Sequence, residues 1–169
     1  MQGQIKIGLD VSGLDPSFKE HATRGIGRYV RELSQGLAEK FSSVSSNDPI
    51  QYGTFNHKSL APAPFLDFLL KSCPVGKQTL RQQIYYPYRL FRIKEFNVLH
   101  FPAQMDPPAY CPVPYIVSVM DLIPLVLADL YSAGRPTWRF KLARFLELEA
   151  IRRASLILSI SKTTAKQAN

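Results

Sequence analysis

The chain has 169 residues and a formal net charge of +8, with 46% hydrophobic and 20% charged residues. This composition excludes a disordered chain and indicates one domain with its own hydrophobic core. Cys73 and Cys111 lie far apart without a CxxC pair, which argues against a disulfide framework or a structural zinc site. The positive charge indicates an anionic partner, or else a solvated basic surface with no specific partner.

The first predicted elements are a strand, a long loop and a helix. Apolar side chains at alternate positions predict a strand over residues 4–11. The polar residues 12–24 form a loop of a length that is usually functional or mobile. Apolar residues at i, i+3/i+4 and i+7 spacing predict a helix over residues 25–41. Gly36 inside this helix predicts close contact between helix and sheet, because glycine there costs roughly 1 kcal/mol relative to alanine.

The middle of the chain is less regular. Residues 51–56 are predicted as a second strand, and a short helix is predicted at residues 65–71 within a stretch rich in proline. Residues 79–94 are predicted as a helix that Pro87 kinks or splits, because proline has no N–H to donate.

The last third again alternates strand and helix. Buried strands are predicted over residues 97–103 and 115–122, and a last strand over 155–160. Between them, residues 136–154 form a long predicted helix with a wide apolar face made by Trp138, Leu142, Phe145, Leu146 and Ile151. Ser161 is predicted to cap a final short helix.

Strands that are nearly continuous apolar runs and alternate with helices predict a mostly parallel sheet covered on both faces. The predicted fold is therefore a single-domain, doubly wound, Rossmann-like α/β fold. No signal for export or membrane insertion is recognised: the first ten residues lack the pattern of a signal peptide, and the most apolar stretch, 114–131, is interrupted by Asp121, Pro124 and Asp129. The expected location is cytoplasmic.

Gly25 and Gly27 open the first predicted helix. Two residues without a Cβ at a helix N-terminus suit the approach of a phosphate, because free N–H groups and the positive end of the helix dipole lie there. A packing role is the alternative. The GxG spacing lies a dozen residues after the strand and does not match the GxGxxG dinucleotide fingerprint, which argues against a nicotinamide enzyme.

Ligands of parallel sheets bind beyond the carboxyl ends of the strands, which singles out His100 and Asp121. His100 is either a core histidine or a catalytic group. Asp121 either caps the following segment or binds a ligand.

Two predicted helices carry cations interleaved with aromatic residues. This pattern is typical of contact with anionic lipid headgroups, and a solvated face is the alternative. The chain has no sequence signature of a nucleic-acid-binding module, so no nucleic-acid partner is expected. The cations are Arg81, Arg89, Arg92, Lys94, Arg135, Arg139, Lys141, Arg144, Arg152 and Arg153.

Four stretches, in order, carry a family resemblance: RGIGRYVRELSQGLAE, NVLHFPAQMDPP, PYIVSVMDLIPLVLADLY and AIRRASLILSISKTTAKQ. The chain resembles the N-terminal half of GT-B glycosyltransferases of the family-4, group 1 type. The resemblance implies that residues 1–169 are the acceptor-side domain of a retaining enzyme. Such an enzyme transfers a sugar from a nucleotide-sugar donor to a glycan or lipid-linked acceptor, without a metal or other cofactor.

The resemblance also implies roles for individual residues. Gly25, Gly27 and Arg28 would bind the donor phosphates, and Asp121 would be catalytic. Arg24 and Met120 would lie at the acceptor. The family commonly has a histidine where this chain has Met120, so that either His100 takes the catalytic role or transfer is impaired.

The donor-binding domain of this family is not found within the 169 residues, and we expect this chain alone to be inactive in polysaccharide or glycolipid synthesis. The alternative is a non-catalytic scaffold domain that docks on an anionic membrane or on a partner protein. Either protein would be cytoplasmic or peripheral on the inner face of the membrane.

Overall fold

A computed structural model describes residues 4–15, 25–43, 48–57, 81–120 and 138–168. The five strands are β1 (Ile5–Asp10), β2 (Ile50–Phe55), β3 (Val98–Phe101), β4 (Tyr115–Val119) and β5 (Leu156–Ser159). The α-helices are α1 (Gly25–Phe41), α2 (Tyr86–Leu90), α3 (Trp138–Arg152) and α4 (Lys162–Ala168). A 3-10 turn (Ser12–Leu14) follows β1, and a π-helical turn (Arg81–Tyr85) leads into α2.

The five strands form one sheet in the order β2-β1-β3-β4-β5, and every pair is parallel. The predicted α/β fold with a parallel sheet is therefore confirmed. The strand order reverses between β1 and β3, because β2 lies outside β1 while β3 to β5 extend in the other direction. In sheets of this kind the crevice at such a reversal is where ligands bind.

Helices cover both faces of the sheet. Side chains of Phe101, Val117 and Val119 share one face, which α2 and α3 cover and which we call the α2–α3 face. The opposite face, which includes Leu9 and His100, is covered by α1 and is called the α1 face. Phe41 of α1 stacks on Tyr52 of β2 there, with ring centroids 5.8 Å apart.

The α2–α3 face holds the main hydrophobic core, in which aromatic rings predominate. Phe101 makes edge-to-face contacts with Tyr86 and Tyr115, at centroid distances of 6.4 and 5.6 Å. Phe96 lies across two glycines that are paired between β1 and β2, Gly8 and Gly53. A Cβ at these positions would lie 2.6 and 2.9 Å from the Phe96 ring, so only glycine leaves room for it.

Most predicted elements are confirmed within a few residues, and α1 has the predicted bounds. Ser161 caps α4 as predicted: its Oγ accepts a hydrogen bond from the Thr164 N–H at 3.1 Å. The helix predicted over 79–94 is split, as expected near Pro87, into the π-helical turn and the short α2. The helix predicted at 65–71 lies outside the described residues. So do residues 121–122 of the strand predicted over 115–122 and residues 136–137 of the helix predicted over 136–154.

One expectation about packing is wrong. A Cβ at Gly36 would meet no described atom within 4 Å, and the residue is exposed, so it makes no close contact with the sheet. The predicted apolar face of α3 is divided between the core and the protein surface. Ile151 is buried, whereas Trp138, Leu142 and Phe145 are exposed.

Candidate functional site

The carboxyl end of β1 is closed by a buried aspartate at the point where the strand order reverses. Asp10 is only 1% exposed, and its Oδ1 accepts a hydrogen bond from the Ser12 N–H at 2.8 Å. This bond folds the chain into the 3-10 turn directly after the strand. The Ser12 hydroxyl in turn accepts a bond from the His57 N–H at 2.9 Å. The segments after β1 and β2 are thereby joined.

Tyr86 extends this polar cluster from the α2–α3 face. The pKa of its hydroxyl is well above the usual value, first because the ring is buried and next because the charge of Asp10 lies nearby. Its hydroxyl also interacts with Ser12, and Asp106 lies close enough to act in the same direction as Asp10. The tyrosine is therefore a neutral hydrogen-bonding group at neutral pH.

The segment after β3 is buried and is held by amide side chains. The Gln82 side-chain amide donates to the carbonyl of Met105 and, at 3.3 Å, to that of Asp106. Gln104 is buried as well, and its Oε1 accepts a hydrogen bond from the Met120 N–H at 3.1 Å. The residues following β3 and β4 are thus connected at the same edge of the sheet.

A second polar chain lies on the α1 face. Nε2 of His100 is 2.9 Å from Oγ of Ser118, and that Oγ is 3.3 Å from the hydroxyl of Tyr29. Burial lowers the pKa of His100 from 6.5 to about 4. The imidazole is therefore neutral at physiological pH. Through Ser118, it ties the second turn of α1 to the end of β4.

This chain of contacts decides how the predicted site residues are related. Tyr29 lies one turn into the helix that Gly25 begins, and Ser118 lies two residues before Met120. The start of α1 and the end of β4 are therefore on the same rim of the sheet. Arg24 and Asp121 lie outside the described residues, and their predicted roles stay predictions.

The two glycines of the helix start differ in their surroundings. Gly27 is buried, whereas Gly25 is exposed and a Cβ there would meet no described atom within 4 Å. Among the described residues, no neighbour requires glycine at position 25, and its φ is not in the positive range. Arg28, one residue beyond the buried glycine, is exposed. The backbone at Gly25 is thus open to the surrounding solvent.

Sequence reasoning missed the polar residues that build this rim. Asp10 closes a strand just as Asp121 was predicted to do, so the same argument could have found it. Ser118 and Tyr29 carry no signal of their own, because an alternating strand and an amphipathic helix both contain such residues. Gln104 is recognisable only from its bond to Met120.

Comparison with protein-family models, curated proteins and solved structures found no match to this chain. The function must therefore be argued from the fold and the rim. Within the described ranges, no three His, Cys, Asp or Glu side chains are placed to hold a metal ion. No helix in the same ranges is long and apolar enough to cross a bilayer.

Proposed function

We propose that this chain is the acceptor-side domain of a retaining glycosyltransferase that uses a nucleotide-sugar donor. The observation that supports the proposal most directly is the open backbone of Gly25 at the N-terminus of a 17-residue helix. That N-terminus lies on the rim where β4 ends, which is where parallel α/β sheets bind ligands.

In this proposal the leaving diphosphate is stabilised by the start of α1. The N–H groups of the first helical turn and the positive end of the helix dipole favour an anion. Arg28 adds a positive charge one residue after the glycine pair, and Arg24 and Met120 would bind the acceptor. Stabilising charge that develops on the leaving group is a large source of catalytic power that needs no side-chain nucleophile.

His100 fits a positioning role better than direct contact with a sugar. The side chain is 7% exposed and its Nε2 is engaged with Ser118. A neutral imidazole with this low pKa does not supply a proton near pH 7. We therefore propose that His100 acts through Ser118 and Tyr29 on the orientation of α1, and that Asp121 is the catalytic carboxylate.

Backbone amide spectra during titration with pyrophosphate, uridine diphosphate and uridine test the anion site. Pyrophosphate and the nucleotide are expected to shift the amides of Gly25, Gly27 and Arg28, while uridine leaves them unchanged. Gly25→Ala should weaken diphosphate binding by about tenfold, because a methyl group obstructs the close approach of the anion. Gly36→Ala is the matched control, since it adds a Cβ to an equally open position of the same helix.

Two results would contradict the anion site. One is a set of shifts confined to the basic surfaces of α2 and α3, and the other is equal binding by the Gly25→Ala and Gly36→Ala variants. A separate assay addresses transfer: with a nucleotide sugar and a glycan acceptor, we expect the purified chain to release no nucleoside diphosphate. Turnover would refute the assignment to the acceptor side alone.

The second candidate, a binding domain without transfer activity, is favoured by Met120. The family that this chain resembles commonly has a histidine at the position of Met120, and the thioether of methionine cannot replace the hydrogen bonds of an imidazole. Met120→His in the full-length protein distinguishes the two: a rise in transfer indicates an impaired enzyme, and an unchanged rate indicates a binding role.

A further inference from the structure

Two helical segments, the π-helical turn with α2 and the helix α3, present apolar side chains away from the sheet at the same spacing. Ile84, Tyr88 and Phe91 follow one another at i, i+4 and i+7, and each is more than half exposed. On α3, Trp138, Leu142 and Phe145 repeat this spacing and are 66%, 41% and 58% exposed. We call the first three residues the α2 stripe, the other three the α3 stripe, and the six together the two apolar stripes. Large apolar side chains grouped in this way indicate an interaction surface.

Both stripes lie on the same side of the protein. Tyr86 and Leu90 of α2 pack with Phe101 and Tyr115, while Ile151 of α3 packs with Val117 and Val119. All of these strand residues belong to the α2–α3 face. The stripes are on the opposite sides of their helices from these buried residues, and they therefore point outward together.

Positive charge accompanies the stripes. Residues 81–94 contain four Lys or Arg and no acid, and residues 138–153 contain five Lys or Arg and two Glu. Lys141 is exposed within the α3 stripe, and Arg92 directly follows the α2 stripe. Of the two acids, Glu149 is within 3.5 Å of Arg152 and 3.3 Å of Arg153, and Glu147 pairs with Arg144.

We propose that the two apolar stripes dock on an anionic lipid bilayer. Aromatic side chains are favoured at the level of the headgroups, and neighbouring Lys and Arg residues attract acidic lipids. A protein partner fits less well, because the centres of protein interfaces are depleted in lysine, whereas Lys141 lies inside the stripe. The proposal is independent of the glycosyltransferase proposal, since docking needs neither a nucleotide nor an acceptor.

The chain contains a single tryptophan, Trp138, and it lies in one of the stripes. Its fluorescence therefore reports directly on docking. Titration with vesicles of phosphatidylcholine alone, and with vesicles in which roughly a third of the lipid is phosphatidylglycerol, compares the neutral and anionic surfaces. With the anionic vesicles we expect a blue shift, quenching by brominated acyl chains, and partitioning that weakens at high salt.

Variants separate the stripes from the rest of the surface. Phe145→Ser and Phe91→Ser should each weaken partitioning by about tenfold, because each removes most of an aromatic side chain that is buried in the bilayer when the protein is docked. Lys141→Gln should weaken it by about fivefold. Ile160→Ser, at an exposed apolar residue outside both stripes, and Lys40→Gln, at an exposed lysine of α1, are the matched controls and should have no effect.

Three outcomes would overturn the proposal. Equal partitioning to neutral and anionic vesicles would exclude a role for the charge, and an unchanged Trp138 spectrum would exclude docking by this side. A blue shift that grows with protein concentration in the absence of lipid, together with dimers in sedimentation, would assign the stripes to a second copy of the chain. Circular dichroism of each variant confirms that the fold is retained.

Discussion

The ring of Phe96 lies so close to Gly8 that a Cβ at residue 8 would be 2.6 Å from Cδ2 of the ring. Gly53, the partner of Gly8 on β2, faces the same ring, and Phe55 lies beyond it at a centroid distance of 5.9 Å. This contact explains why two neighbouring strands have glycine at one level of the sheet.

We expect Gly8→Ala to lower the free energy of unfolding by about 2 kcal/mol, because overpacking a fitted site forces the ring or the strand to move. In a Phe96→Leu background the same substitution should cost less than half as much. Urea unfolding of the four proteins of this cycle measures the coupling. An equal cost in both backgrounds would show that Phe96 is not the cause.

Gly36→Ala should raise the free energy of unfolding by about 1 kcal/mol. The residue is exposed in the interior of α1, and the added Cβ has open space around it. The gain comes from the lower helix propensity of glycine and from the greater freedom of the unfolded chain. Thermal and urea unfolding check the prediction, and a destabilised variant would mean that a neighbour does approach position 36.

Protonation of His100 should make stability depend on pH. Burial lowers the pKa of this residue from 6.5 to about 4 in the folded protein. The unfolded chain therefore takes up the proton first, so the contribution is fully present above pH 6.5 and is lost as the pH falls toward about 4. The total loss is roughly 3 kcal/mol, since one pKa unit corresponds to about 1.4 kcal/mol.

Unfolding in urea at a series of pH values from neutral to acidic, for the wild type and for His100→Gln, isolates this contribution. The variant should lack the part of the slope that belongs to residue 100, although it starts from a lower stability. Identical slopes in the two proteins would mean that the pKa of His100 is the same in the folded and unfolded states.

The hydroxyl of Ser118 connects His100 to Tyr29, and removing this hydroxyl should break the hydrogen-bonded link between α1 and β4. Ser118→Ala is expected to cost about 2 kcal/mol, because a buried imidazole nitrogen loses its hydrogen-bond partner. Tyr29→Phe should cost less, since its hydroxyl is only part-buried and 3.3 Å from Ser118. Once Ser118 is alanine, Tyr29→Phe should have almost no further effect. Additive losses would contradict the link.

The fold followed from the sequence to the extent that local periodicity determines it. The helical spacing of apolar residues predicted the bounds of α1. Pro87 predicted the break in the next helix, because proline cannot donate a backbone hydrogen bond. The apolar face of α3 was recognised, but not its surroundings. Periodicity shows that Trp138 and Phe145 share a side of the helix, and only the sheet shows that this side points outward.

The candidate site was harder to predict from the sequence than the fold, because it depends on contacts between distant parts of the chain. Gly25 was singled out by its place before a helix, and the structure adds that nothing in the described residues needs a glycine there. The bond between Gln104 and Met120 and the fit of Phe96 over Gly8 depend on strand register. Register is set by the whole sheet and not by any short stretch of sequence.

The position of β1 has a consequence for the order in which the protein acquires its structure. β1 precedes β2 in the chain, and the two strands can pair once the residues up to Phe55 have been synthesised. Its other neighbour is β3, next to which the Asn97 side chain accepts a hydrogen bond from the Lys6 N–H over a separation of 91 residues. During synthesis on the ribosome, the edge of β1 that pairs with β3 therefore has no strand partner until some ninety further residues have been made. Contacts between such distant residues slow folding. The unpaired edge of β1 is therefore the place where incorrect strand pairing or aggregation would begin.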